Sequence, residues 1–187
     1  MSTPQVRRRG AALEEALLDA AWAEVKSVGY AALTVDAVAR RAGTSRPVIY
    51  RRWENRAQLV LAAMRAHVTS IADEVPDTGS LRSDALAVLR TAMGRYRDVG
   101  ADVVNGLLSE LGDLPADVFA LVPDVFRTLT TRATARGELP PGEVPPHLLD
   151  VPMTLARYDA IVTRRPPSEA RLTQIVDDIF LPLVQRR

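Results

Sequence analysis

Residues 34–59 read TVDAVARRAGTSRPVIYRRWENRAQL, two short helices about a tight turn with a third following at once. In 34–42 the apolar Val35, Val38 and Ala39 share one helical face, and Thr34 stands where an N-cap hydroxyl accepts an orphan backbone N–H. Gly43 supplies the conformation that ends the helix. Ser45 offers a second N-cap, and Pro47 falls in the first turn of the next helix, where its missing N–H costs little. Val48 and Ile49 face inward, leaving Arg46, Arg51 and Arg52 outside. Helix, glycine turn and helix make a helix-turn-helix, whose second helix enters a DNA major groove. Double-stranded DNA is therefore the first partner expected.

The charges agree. Six arginines (40, 41, 46, 51, 52 and 56) stand against the single acid Glu54 between positions 40 and 56. Residues 1–67 carry eleven Lys/Arg and six Asp/Glu, a net of +5, and the rest of the chain carries a net of −4. Near-neutrality overall hides a basic head and an acidic body. Only the head is suited to neutralising phosphates and releasing their counterions.

The chain has 187 residues, enough for one compact unit or two coupled ones with a real core. It contains no cysteine, so disulfides, thiolate metal sites and cysteine nucleophiles are absent. Residues 11–28 are amphipathic and carry Glu14, Glu15, Asp19 and Glu24, which argues against a signal peptide or a membrane span. A soluble cytoplasmic protein is expected. Aromatic residues make up 5% of the chain, and helical spacing recurs without strand-like alternation, so the fold class is all-α.

The basic arm 1–10 has arginines suited to the minor groove or to phosphates. A first helix over 11–28 buries Leu13, Leu17, Ala20, Ala21 and Val28, and Gly29 ends it. Asn55 caps a fourth helix, with Gln58 completing a capping-box pattern; its apolar side runs to about Ala72. Further helices are predicted over 81–99, 101–112, 116–136 (begun by Pro115, kinked or divided at Pro123), 147–163 and 168–185. The total is about nine. Residues 1–54 read as arm and three-helix DNA-binding domain, 55–75 as a connecting helix, and 76–187 as a second helical domain.

These residues resemble the TetR (tetracycline repressor) family. The resemblance rests on Gly29-Tyr30, Thr34-Val35, Ala42-Gly43, Ser45, Tyr50, Trp53, Arg56 and Leu59 in that order and spacing, and it covers about 13–67. Pro47 stands where many members have Gly, and Arg56 where most have Lys. Chemistry and resemblance together assign Thr34, Ser45 and Tyr50 to phosphate oxygens and Arg56 to the DNA backbone. Arg46 and Arg51 become candidate base readers, since guanidinium pairs bidentately with guanine O6 and N7. Thr44 and Pro47 complete the DNA-facing set, while Leu33, Val38 and Trp53 are core.

For the second domain the resemblance implies a homodimer and a small apolar effector that releases a repressor from its operator. Candidate interface residues are Leu148, Leu149, Val151, Leu155 and Val162 in one helix, and Leu172, Ile175, Val176, Ile179 and Leu183 in the last. Candidate pocket residues are Met93, Tyr96, Asn105, Leu107, Phe119, Phe126, Leu129, Met153 and Tyr158. The fourth helix is the link expected to carry the effector's influence, through 67–71. A protein partner in place of the effector is the alternative. An enzyme is the remoter one: His67 and His147 belong to no metal-spacing pattern, and no phosphate loop or nucleophile elbow is present. No cofactor and no metal are expected.

Overall fold

Thr34, Asn55, Ser80 and Ser168 each accept a backbone N–H from the residue three positions on, at 3.2, 2.9, 3.4 and 3.2 Å. These caps fix where four of the helices begin, because each satisfies a donor the first turn would otherwise leave orphaned. The computed structural model describes residues 10–68, 75–111 and 116–186, and their side chains apart from 116–122. The arm 1–9, residues 69–72 of the fourth helix's expected run, Pro115 and the side chain of Phe119 therefore lie outside the described residues.

The elements in order are α1 (Ala11–Ala32), α2 (Val35–Arg41), α3 (Arg46–Tyr50), α4 (Arg56–His67), α5 (Leu81–Val99), α6 (Ala101–Leu111), α7 (Ala116–Ala135), α8 (Pro146–Leu149), α9 (Val151–Thr163) and α10 (Glu169–Gln174). A π-helical stretch, Ile175–Phe180, joins α10 to α11 (Leu181–Gln185). The chain divides into two compact units, one of Met1–Val68 with Asn105–Gly112 and one of Thr69–Val104 with Asp113–Arg187. The division falls inside α6.

In the first unit, Leu17, Ala21 and Val25 of α1 share a core with Val38, Ile49, Trp53, Leu59 and Leu107. Burying a large aliphatic or aromatic side chain contributes about 1.5–3 kcal/mol each before chain entropy is set against it. Val28, expected in this core, is exposed, and Val25 holds the inward position. The regular helix is interrupted one residue later, at Gly29 (φ 76, ψ 171). His67 ties the end of α4 to α1, with Nε2 3.0 Å from Asp19 and its ring stacked 5.7 Å from Trp22.

The second unit is built around Leu89, Met93, Phe126, Leu129, Met153 and Phe180, the two phenylalanines meeting edge to face at 5.3 Å. Asp84 is fully buried on α5 and anchors the segment before that helix. Its Oδ1 accepts from both the backbone N–H and the hydroxyl of Thr78, each at 2.7 Å. Arg136 lies 3.6 Å from its other oxygen, Arg132 donates to the Pro76 carbonyl, and Glu138 accepts from the Leu81 N–H.

Prolines alter two of the predicted helices and leave a third undivided. α7 runs on through Pro123 rather than dividing there. The helix expected over 147–163 is broken at Asp150 into α8 and α9, since Pro152 has no N–H and its ring crowds the carbonyl four residues back. The last helix, expected to be regular, opens into the π stretch ahead of Pro182, which likewise cannot donate backwards. The wider turn advances the inward face by one residue. Core positions run Leu172, Ile175, Val176, Phe180 and Val184, where a regular helix would continue to Ile179 and Leu183.

Of the residues expected at a dimer contact, Leu172, Ile175 and Val176 are instead buried inside this chain, as is Leu149. Leu148, Val151, Leu155 and Ile179 are half-buried. Tyr158 (64% exposed), Val162 (61%) and Leu183 (41%) are the apolar side chains left facing outward on these helices, with Ile161 beside them.

Candidate nucleic-acid interface

The turn between α2 and α3 is closed by two backbone bonds, Thr44 N–H to the Ala39 carbonyl (2.9 Å) and Gly43 N–H to the Arg40 carbonyl (3.2 Å). This is the Schellman arrangement, and it demands the positive φ (67°) that Gly43 adopts without a Cβ penalty. The turn fixes the departure of α3, whose inner side is buried through Ile49 and, just beyond it, Trp53. Arg46, Pro47, Tyr50, Arg51 and Arg52 then lie exposed, and Thr44 is half-buried behind them.

Thr34 caps α2 as expected, accepting from Ala37 and keeping its own proton to donate. Ser45 occupies the N-cap position of α3, yet its side chain makes no capping bond. The local reason is Pro47, which removes the donor of the second helical residue, while the Val48 N–H goes to the Ser45 carbonyl instead. The serine hydroxyl thereby stays available. At α4 the Asn55 cap forms, but Gln58 accepts from the Glu54 N–H (3.0 Å) rather than from that of Asn55, so the capping box is displaced by one residue.

The six arginines differ in what holds them. Arg41 is spent on Glu24 of α1, with Nη2 2.9 Å from the carboxylate. Arg46 lies 3.2 Å from Asp36 of α2 and 6.0 Å from the Tyr50 ring centroid, an exposed arrangement that restrains the side chain more than it stabilises the fold. Arg52 reaches back to the Val48 carbonyl at 3.4 Å. Arg40 and Arg51 have no ion-pair partner among the described residues.

Arg56 is the most heavily engaged. Its Nε and Nη2 both face the Glu110 carboxylate of α6 (Nε 2.9 Å from Oε1), its Nη1 donates to the Leu33 carbonyl at 3.2 Å, and its guanidinium lies 5.0 Å from the Tyr30 ring centroid. Sequence reading assigned this arginine to phosphate and missed Glu110, which is 54 residues away and carries no local signal. The bond from Arg56 holds the Glu110 carboxyl below its ordinary range, and the one from Glu110 raises Arg56 further. Burial, then the Glu110 charge, pushes the Tyr30 hydroxyl up to about 12. A depressed carboxyl contributes stability above its unfolded pKa and loses it as pH falls through the lower folded value. The stability difference between wild type and Glu110→Gln is thus expected to hold at neutral pH, to shrink as pH falls through the ordinary carboxylate range, and to vanish in stronger acid, below the lowered folded value. Urea unfolding across a pH series checks this.

The expected pocket residues are brought together only in part. Met93, Phe126, Leu129 and Met153 are packed within the second unit's core, and Tyr96 at its edge donates to the Ala160 carbonyl (3.1 Å). Asn105 and Leu107 belong to the first unit, and Tyr158 faces outward. Among the described residues no group of His, Asp and Glu has a metal-holding arrangement, and no helix is long and apolar enough to cross a membrane.

Two family profiles match the chain: "Bacterial regulatory proteins, tetR family" over residues 17–63, and "Tetracyclin repressor-like, C-terminal domain" over residues 75–179. An uncharacterized HTH-type transcriptional regulator of Mycobacterium tuberculosis is 34% identical over 171 residues, covering 84% of this chain and 81% of its own. The DNA-binding transcriptional repressor TetR of Mycobacteroides abscessus is 33% identical over 193 residues, covering 95% and 96%. The fold resembles the fatty acid degradation regulator FadR from Bacillus halodurans (TM-score 0.61, 15% identity, 95% of this chain and 97% of that one). It also resembles a TetR family transcriptional regulator from Pseudomonas syringae (TM-score 0.55, 19% identity, 90% and 93%).

Proposed function

This chain belongs to the tetR family of bacterial regulatory proteins, helix-turn-helix transcriptional regulators rather than enzymes, and from that premise we propose that it is a homodimeric repressor released from a palindromic operator by a small apolar effector. The observation that carries the DNA side is the exposed α3 surface, where Arg51 has no ion-pair partner among the described residues and the Ser45 hydroxyl makes no cap. Arg51 and Arg46 read base edges, Thr34, Thr44, Ser45 and Tyr50 hold phosphates, and Pro47 sets the approach of α3. The copies meet through Tyr158, Val162, Ile179 and Leu183 with the half-buried Leu148 and Leu155. That surface fits because the π stretch turns Ile179 and Leu183 away from the chain's own core. The effector seats among Met93, Tyr96, Phe126 and Met153 of the second unit. Its effect on DNA affinity requires unequal affinity for the bound and released forms.

Selection from random DNA is expected to enrich a two-fold symmetric site. Arg51→Ala is expected to cost about 1–3 kcal/mol on that site and to relax preference at one position of each half-site. A folded protein that enriches no motif overturns the DNA reading. Thermal-shift screening with apolar metabolites, followed by DNA release, tests the effector. Compounds that stabilise the protein without moving operator affinity overturn that part alone.

A further inference from the structure

Arg56 offers a single anion seat that is already filled. Its guanidinium is fixed from two sides that involve no anion: Nη1 on the Leu33 carbonyl (3.2 Å) and the face over the Tyr30 ring (5.0 Å). What remains is the Nε/Nη2 edge, two parallel donors whose geometry suits a carboxylate or a phosphate equally. Glu110 occupies that edge with both oxygens, at 2.9 and 3.2 Å from Nε. The two side chains are each about one-third exposed, so the seat is reachable from solvent.

The occupant is delivered by a built contact. Gly106 lies one helical turn before Glu110, on the same face of α6. A Cβ at position 106 would lie 2.1 Å from Tyr30 Cδ1, so only glycine lets α6 come this close to the buried tyrosine. Tyr30 thus presents one ring to two neighbours, Gly106 against it and Arg56 over it, and that geometry brings Glu110 onto Arg56. Arg56 is also the first residue of α4, five positions past Arg51, within the cationic stretch that the proposed operator contact uses.

We propose that Glu110 competes with operator phosphate for the Nε/Nη2 edge of Arg56, so that this arginine joins the DNA contact only when the α6 carboxylate gives up its place. The proposal rests on the DNA-binding reading above. The exchange moves one acidic side chain and leaves the guanidinium where Leu33 and Tyr30 hold it. On DNA the displaced carboxylate is left unpaired beside a polyanion, which opposes binding; with Glu110 in place the head has one phosphate-binding cation fewer.

The test measures binding of wild type, Glu110→Gln, Arg56→Ala and the double variant to two probes, the duplex enriched by selection and a mixed-sequence duplex, over a salt series. Glu110→Gln is expected to tighten binding about three- to ten-fold on both probes, because phosphate contacts are indifferent to sequence, and to steepen the salt dependence by about one ion. In the Arg56→Ala background the same substitution is expected to do almost nothing. Glu110→Asp, which keeps the charge but shortens the reach, is expected to tighten binding in the same direction by less, and it serves if the glutamine variant does not fold. The competition is overturned if Glu110→Gln leaves binding unchanged or weakens it, which would make Glu110 a support for Arg56. It is equally overturned if the gain persists without Arg56, which would mark general charge repulsion. A folded wild type that binds neither probe overturns the DNA reading itself, and this inference with it; a wild type that binds while the variants fail these tests overturns the inference alone.

Discussion

Asp84→Ala is expected to destabilise the second unit by about 3 kcal/mol, the largest stability loss for any single polar side chain among the described residues of this unit. Its Oδ1 takes two short bonds from Thr78, one of them from the backbone N–H. Hydrogen bonds to a charged acceptor contribute about 1.5–3 kcal/mol each, and a donor left buried without a partner costs about 1–3. Alanine forfeits both bonds, and the Arg136 guanidinium loses the one fully buried carboxylate it faces. Asp84→Asn keeps the Oδ1 acceptor and is expected to recover part of the loss. Thermal and urea unfolding of the three proteins measure this, and a loss below about 1 kcal/mol for alanine would show that water replaces the carboxylate.

The second large effect concerns association. Val162→Asp combined with Leu183→Asp is expected to give folded monomers in sedimentation and to lower operator affinity about 100-fold or more, because a single head loses the effective concentration that the second one supplies. Both positions are exposed within one chain, so the charges cost the fold little. Ile175→Asp is the contrasting variant. Ile175 is fully buried in the chain's own core, and a charge there is expected to unfold the second unit rather than separate two folded copies. If the double variant stays a dimer, the copies meet on another surface.

The contrast between Ile175 and Leu183 shows where sequence reading stopped. Both fell on one apolar stripe at regular helical spacing, and nothing local distinguished core from interface. The π stretch before Pro182 shifts the inward face by one residue, placing Phe180 and Val184 in the core. The stripe was legible; its phase was not, because phase depends on how a proline-strained helix relieves its missing donor against its neighbours. Arg56 gives the same lesson for the site. Its position in the helix-turn-helix frame was visible, but its partner comes from α6 through a contact of long sequence separation.

By itself, the sequence determined what short-range chemistry controls. Thr34 and Asn55 as caps, Gly43 in a positive-φ turn, Ile49 and Trp53 inside, and the basic stretch 40–56 all follow from bonds and burial within a few residues. Tertiary structure alone decided which arginines lie against carboxylates (Arg41 on Glu24, Arg46 near Asp36, Arg56 on Glu110) and which apolar side chains of the last two helices face outward. The physical reason is common to both: a charge or an apolar face has many acceptable partners, and only the packed chain brings one of them within reach.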